Sequence, residues 1–219
     1  MKSLLYAFAA VAALAVSPAL ADTITATATV DGGLTQTTTT VNGTLNIIGG
    51  SIGAFSFNTV SANSQTTLPA PGILTTNSLN LQQTAAGAHT LVLDITASQL
   101  VGTNALTNFL STFSVSGLTA GWTAQEQTFI NGTLLSSTPV FTTVSGSANA
   151  TVARLETNPF SAEVRYTITS NGPGGFNGGI DISGTAAVPG PVVGAGFPGL
   201  VALLGGIWGW KKRRQLLTA

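Results

Sequence analysis

An all-β fold, an antiparallel β-sandwich or barrel-like domain, is predicted by three features of this chain. Short segments alternate apolar and polar residues with period two, as strands with one buried face do. Threonine and β-branched residues are abundant, as pleated surfaces prefer. Turn-forming residues recur roughly every ten residues, the spacing of a sandwich or barrel.

Taken in order, the elements read as follows. Thr23–Val30 places Ile24, Ala26, Ala28 and Val30 on one face and threonines on the other. Turns follow at Asp31-Gly32-Gly33, Asn42-Gly43, Gly49-Gly50 and Pro71-Gly72. Leu91–Ile95 groups Leu91, Leu93 and Ile95, with Val92 and Asp94 opposite. Ser98–Leu110 breaks the pattern: Leu100, Val101, Leu106, Phe109 and Leu110 have partial helical spacing, which predicts a short helix or an irregular crossover. Phe113 and Val115 then share a face. "VNGTL" at Val41–Leu45 and "INGTL" at Ile130–Leu134 predict two Asn-Gly hairpin turns.

"TVARLETNPFSAEVRYTIT" alternates on both sides of Asn158-Pro159 and predicts a hairpin. Facing Arg154 with Glu163 sets Leu155 against Ala162 and Ala153 against Val164, whereas a slipped register puts like charges opposite each other. On that basis both arginines form sheet-surface pairs, with Val164, Tyr166 and Ile168 buried. Gly172–Gly179 predicts a flexible loop before a last strand at Ile180–Ile182. It has no Lys and no helix after it, so it is not a phosphate loop.

Charge narrows the function classes. The 219 residues hold seven cations and seven acids. Five cations, Lys2 and Lys211 to Arg214, lie at the ends. The body from Asp22 to Ala187 keeps two arginines and all seven acids, a net of −5. Such a body has no electrostatic footprint for nucleic acid. No cysteine is present, which excludes disulfides, zinc-thiolate sites, iron–sulfur clusters and thiol catalysis. A body of about 160 residues buries enough apolar surface without disulfides, so the absence does not argue against export.

The ends read as membrane addresses. Residues 1–21 have the layout of a signal peptide: a cationic start at Lys2, an apolar run and the small-x-small pattern Ala19-Leu20-Ala21 before Asp22. Signal peptidase is the implied partner. Residues 188–219 form a Pro/Gly hinge (188–191), a charge-free stretch (192–210) and a basic tail (211–219). As a helix, the 19 residues from Val192 to Trp210 span roughly 28 Å, about the hydrocarbon thickness of a bilayer. Trp208 and Trp210 suit the interface, and Lys211, Lys212, Arg213 and Arg214 hold that end in the cytoplasm. The body is thereby expected outside the inner membrane.

The order of Val188-Pro189-Gly190-Pro191, a Gly-rich apolar helix and a terminal Lys-Lys-Arg-Arg resembles the PEP-CTERM class of bacterial sorting signals. Val188, Pro189 and Pro191 match the usual motif, and Gly190 stands where that pattern has Glu. The resemblance covers about 30 of the 219 residues. It implies recognition by an exosortase-like transpeptidase, and a destination in the periplasm, outer surface or extracellular matrix of a Gram-negative-type bacterium. It also implies a link to exopolysaccharide. A plain uncleaved anchor is the alternative for this tail.

Candidates for chemistry within the body are few. His89 is the sole histidine, and strand alternation points it away from nearby Asp94. No Gly-x-Ser-x-Gly elbow is present. Glu126 beside Trp122 raises a glycosidase carboxylate, but alternation puts Trp122, Ala124, Glu126 and Thr128 on one face, as on an exposed or rim strand. Asp31, Asp94 and Asp181 are too scattered for a calcium loop. Asn42, Asn131 and Asn149 match Asn-x-Thr but read as turn residues. No catalytic, cofactor or metal residue is assigned. The expectation is an exported, non-enzymatic surface or matrix component that self-associates or meets exopolysaccharide. The alternative is a carbohydrate-active enzyme or a glycan-binding module.

Overall fold

The computed structural model describes residues 22–65, 70–102 and 104–186. The predicted signal peptide and C-terminal segment lie outside them. Thirteen strands form in chain order: β1 Thr23–Val30, β2 Leu34–Val41, β3 Thr44–Ile48, β4 Ser51–Ile52, β5 Phe55–Ser64, β6 Ala70–Gln83, β7 His89–Leu100, β8 Leu106–Leu118, β9 Thr123–Ile130, β10 Thr133–Ser137, β11 Gly146–Leu155, β12 Phe160–Ser170 and β13 Gly174–Ala186. All pairings are antiparallel. Among the described residues there is no helix, so none is long and apolar enough to cross a membrane.

The strands make two sheets, one of order β10-β9-β12-β7-β1-β2 and one of order β11-β8-β13-β6-β5-β3, with β4 added to β5. They pack face to face as a sandwich. Period-two alternation sends Ile24, Ala26, Ala28, Val30, Leu91, Leu93, Ile95, Val164, Tyr166 and Ile168 into the core from one side. Phe55, Phe57, Leu79, Leu81, Phe109, Phe113, Val115 and Ile182 enter from the other. Three edge-on aromatic pairs bridge the sheets: Phe55 with Trp122, Phe109 with Phe160 and Tyr166 with Phe176, at 6.1 to 6.4 Å between ring centres. Buried Thr76 and Tyr166 share a hydroxyl hydrogen bond across the same gap. Ser111 and Thr128 do so at 2.8 Å.

Five expectations are corrected. Of the two readings of Ser98–Leu110 the helix is wrong and the crossover holds: β7 ends at Leu100 in one sheet and β8 starts at Leu106 in the other. The segment's apolar residues divide between two strands instead of forming one stripe. β11 and β12 do not pair. β11 pairs β8 in one sheet while β12 sits between β7 and β9 in the other. Alternation marks a buried face but not the partner across it, and Arg154 donates to the Thr133 and Leu134 carbonyls. Gly172–Gly179 is not a loop before a short strand, because β13 runs from Gly174 to Ala186. The turn at Asn42-Gly43 carries the chain between sheets, its two amides donating to Asp22 O. Asn131-Gly132 does close the β9–β10 hairpin, both residues with positive φ. Finally, Trp122, Ala124, Glu126 and Thr128 face the core, each no more than 1% exposed, and are not a rim.

Candidate functional site

The outer face of the β11-β8-β13-β6 side carries a groove of ≈ 580 Å³. Its floor depends on Gly178 and Gly179. The ladder to β6 shifts register between Gly178 and Asp181, and the ladder to β8 between Asn177 and Gly178. Glycine within a strand marks such bulges and close backbone approaches. A Cβ at Gly178 would meet Phe176 Cζ at 2.5 Å and Ser114 O at 2.8 Å, and one at Gly179 would meet Thr76 O at 2.8 Å. The neighbouring backbone occupies the space a side chain needs, and the surface sinks there.

Polar groups line the walls. Among the described residues, Asn77, Ser147, Asn149 and Asn177 have no hydrogen-bond partner for their side chains, which leaves their donors and acceptors for a ligand. Ser114 donates to Gly179 O at 3.1 Å and keeps its acceptor capacity. Asp181 accepts from Thr75 through Oδ1 and is the one ionisable group in the lining. The arrangement suits a neutral, hydroxyl-rich ligand. Sequence reasoning missed it; the Gly178-Gly179 pair inside an alternating segment was the signal available.

The other candidates lie elsewhere. Asp22, the residue after the predicted cleavage point, is buried and accepts from Ser64 through Oδ2. Its Oδ1 has no partner, and burial raises its pKa against the lowering effect of Ser64. Ala19, Ala21, Val188 to Pro191 and Lys211 to Arg214 fall outside the described residues. Glu126 is fully buried with both carboxyl oxygens unpartnered, and burial pushes its pKa up to about 8. Trp122 is fully buried, its Nε1 donating to Gly172 O at 3.1 Å. Neither is available to a glycan, so the pair considered for glycosidase chemistry is part of the core.

His89 does diverge from Asp94 and is joined instead to Asp31, Nδ1 to Oδ2 at 2.8 Å. That bond, with one from Thr90 N, lowers the Asp31 pKa. The two residues are 58 apart in the chain, and no local pattern connects them. Asp94 pairs with Arg165 at 2.5 Å on the outer face of the six-stranded sheet. Arg165 also reaches Glu163 at 3.1 Å and lies 4.9 Å from the Phe129 ring centre. Arg165 thus is a sheet-surface pair, though its main partner comes from β7. Among the described residues no three of His, Asp and Glu gather as metal ligands.

Compared with known protein families and with curated proteins, the chain matches none. Among solved structures it is similar to a CBM35 from Paenibacillus barcinonensis, at 16% identity over 66% of this chain and 98% of that one, with a TM-score of 0.27. It is also similar to a native family 35 carbohydrate binding module from Clostridium thermocellum, at 14% identity over 54% and 86% of the two chains, with a TM-score of 0.26.

Proposed function

We propose that this chain is an exported, non-enzymatic surface protein whose sandwich binds glycan in the groove over Gly178 and Gly179. The observation that carries the reading is a recessed floor walled by open amide and hydroxyl groups, with Asp181 as the one charge. Sugars offer many paired donors and acceptors and little charge, and such walls answer them group for group. Export and sorting rest on the sequence: Ala19-Leu20-Ala21 before Asp22, and the tripartite 188–219 segment.

The test is a glycan array probed with the purified full chain, followed by titration of the best ligand against the Asn149→Ala/Asn177→Ala double variant. Binding that weakens at least about tenfold, or about 1.4 kcal/mol, supports the reading. A variant that binds as tightly as the parent, or a parent that retains no glycan, sinks it.

A matrix role by self-association has separate support. β2 and β11 are open edges of different sheets, and each pairs its one neighbour in unbroken register. β2 has no charge and no proline, and β11 has Arg154 alone. Edges with little charge and no proline or bulge are templates for a further strand. Sedimentation of the full chain over a concentration series checks this: a constant monomer mass removes it.

A further inference from the structure

This cysteine-free chain has no disulfide to tie its sheets. Two side chains, one from each sheet, meet where such a tie would lie. Gln83 ends β6 and Ser170 ends β12, and both are 1% exposed. Ser170 Oγ donates to Gln83 Oε1, 87 residues away in the chain. The Gln83 amide nitrogen donates to Ala85 O and Gly87 O, each at 2.9 Å, so the carboxamide is fixed from its other side. A hydroxyl bonded to a carbonyl oxygen stands roughly 3 to 3.5 Å from the carbonyl carbon, the range from which addition starts once the approach is aligned.

His89 puts an imidazole on the same face as Ser170. Ser170 lies directly across the β12–β7 ladder from His89, and its Oγ is 3.0 Å from the His89 carbonyl oxygen. Residues paired in this way project to the same face. His89 Nδ1–H is committed to Asp31, which leaves Nε2 as the proton acceptor. Nε2 faces Gly87, 3.6 Å from where a Cβ would stand, and Gly87 is the residue whose carbonyl holds the Gln83 nitrogen.

We propose that Ser170 and Gln83 join as an intramolecular ester, with His89, oriented by Asp31, carrying the proton. Ser170 Oγ adds to Gln83 Cδ as the Oγ–H bond breaks and His89 Nε2 takes the proton. The Cδ–Nε2 bond of Gln83 then breaks, the departing nitrogen takes that proton, and ammonia leaves. One hydroxyl and one carboxamide become one ester and one ammonia, with no oxidant, reductant or co-reactant. Burial of both partners keeps water from hydrolysing the ester. The product ties the two sheets covalently, as a disulfide would. A lysine cross-link is not open to this body, since the lysines are Lys2, Lys211 and Lys212.

Intact-mass analysis of the purified full chain, beside Ser170→Ala from the same host, reads the reaction. The wild type is expected to be lighter than its sequence by one ammonia, and the variant to show no such deficit. Fragmentation of a digest is expected to recover the Gln83 and Ser170 peptides as one species that hydroxylamine separates. This linked species is read in the wild type, so it stands even where Ser170→Ala fails to fold. In His89→Gln the ammonia loss after refolding is expected to slow on the order of 100-fold. A wild type that keeps its full amide nitrogen, with the Gln83 and Ser170 peptides running apart, overturns the proposal.

Discussion

Glu126 on β9 lies directly opposite Tyr166 on β12, and neither side chain reaches water. The phenol has Thr76 as its partner, while both Glu126 oxygens have none. Burial is the cause that lifts the Glu126 pKa to about 8 from an ordinary 4.5. The carboxyl is therefore held protonated in the folded protein at neutral pH.

The sign of the first prediction follows. The folded state binds the Glu126 proton more tightly than the unfolded chain does, so stability is complete below the unfolded value near 4.5 and declines as pH rises through about 8. The full loss is on the order of 5 kcal/mol. Glu126→Gln should flatten the slope, and Glu126→Leu should do so while filling the site with apolar atoms. Urea midpoints from about pH 5 to about pH 9 measure it. A slope unchanged in Glu126→Gln rules out Glu126 as its source.

Asp31 and His89 set the opposite dependence. The hydrogen bond from His89, then that from Thr90, lowers the Asp31 pKa below 3.8. A depressed carboxylate stabilises the fold above its unfolded value and loses that contribution as pH falls through the folded value. In a carboxyl-carbon NMR titration Asp31 should turn over below an ordinary aspartate, and His89→Ala should move it upward. An Asp31 midpoint indifferent to His89 contradicts the pairing.

The two dependences show what was legible in the sequence. Alternation in β1, β7 and β12 named the core residues because one face of each strand is buried and the other is wet. The same alternation disguised Glu126, since a charged residue on a period-two face reads as surface. It also could not say that β11 and β12 belong to different sheets. That division depends on which neighbours pair across long separations, such as Leu106 with Leu155. Gly178 and Gly179 were read as looseness because glycine is permissive. In the fold they are fixed by the Ser114 and Thr76 backbone, and the groove they make needs strands far apart in the chain.

A third prediction tests that floor. Gly179→Ala forces a methyl against the Thr76 carbonyl oxygen and Gly178→Ala against the Ser114 one. Backbone gives way less easily than a side chain tip, so each should cost about 1–3 kcal/mol. Gly33→Ala is the control, with no heavy atom within 4 Å of the new methyl. Asn149→Ala, on the exposed wall, should stay within about 0.5 kcal/mol of the parent. Thermal melts of the four variants separate the floor from the wall. Equal melting temperatures for Gly179→Ala and Gly33→Ala refute the packing argument.

Arg165 supports a fourth. It lies between Asp94 and Glu163, and Asp94 is the chief reason its own pKa is raised. Burial, then repulsion from Asp94, already raises the Glu163 pKa, with Arg165 opposing. Arg165→Met removes the opposition and leaves two carboxylates facing each other. The raised Glu163 group then loses more stability as pH climbs, so the variant should be nearer the parent at about pH 5 than at about pH 8. These side chains are partly solvated, which holds the loss to about 1 kcal/mol at neutral pH. Adding Glu163→Gln to Arg165→Met should recover most of it, because the repulsion needs both charges. A double-mutant cycle gives the coupling directly. Strict additivity of the two substitutions would mean that Arg165 acts through its packing on Phe129 and not through charge.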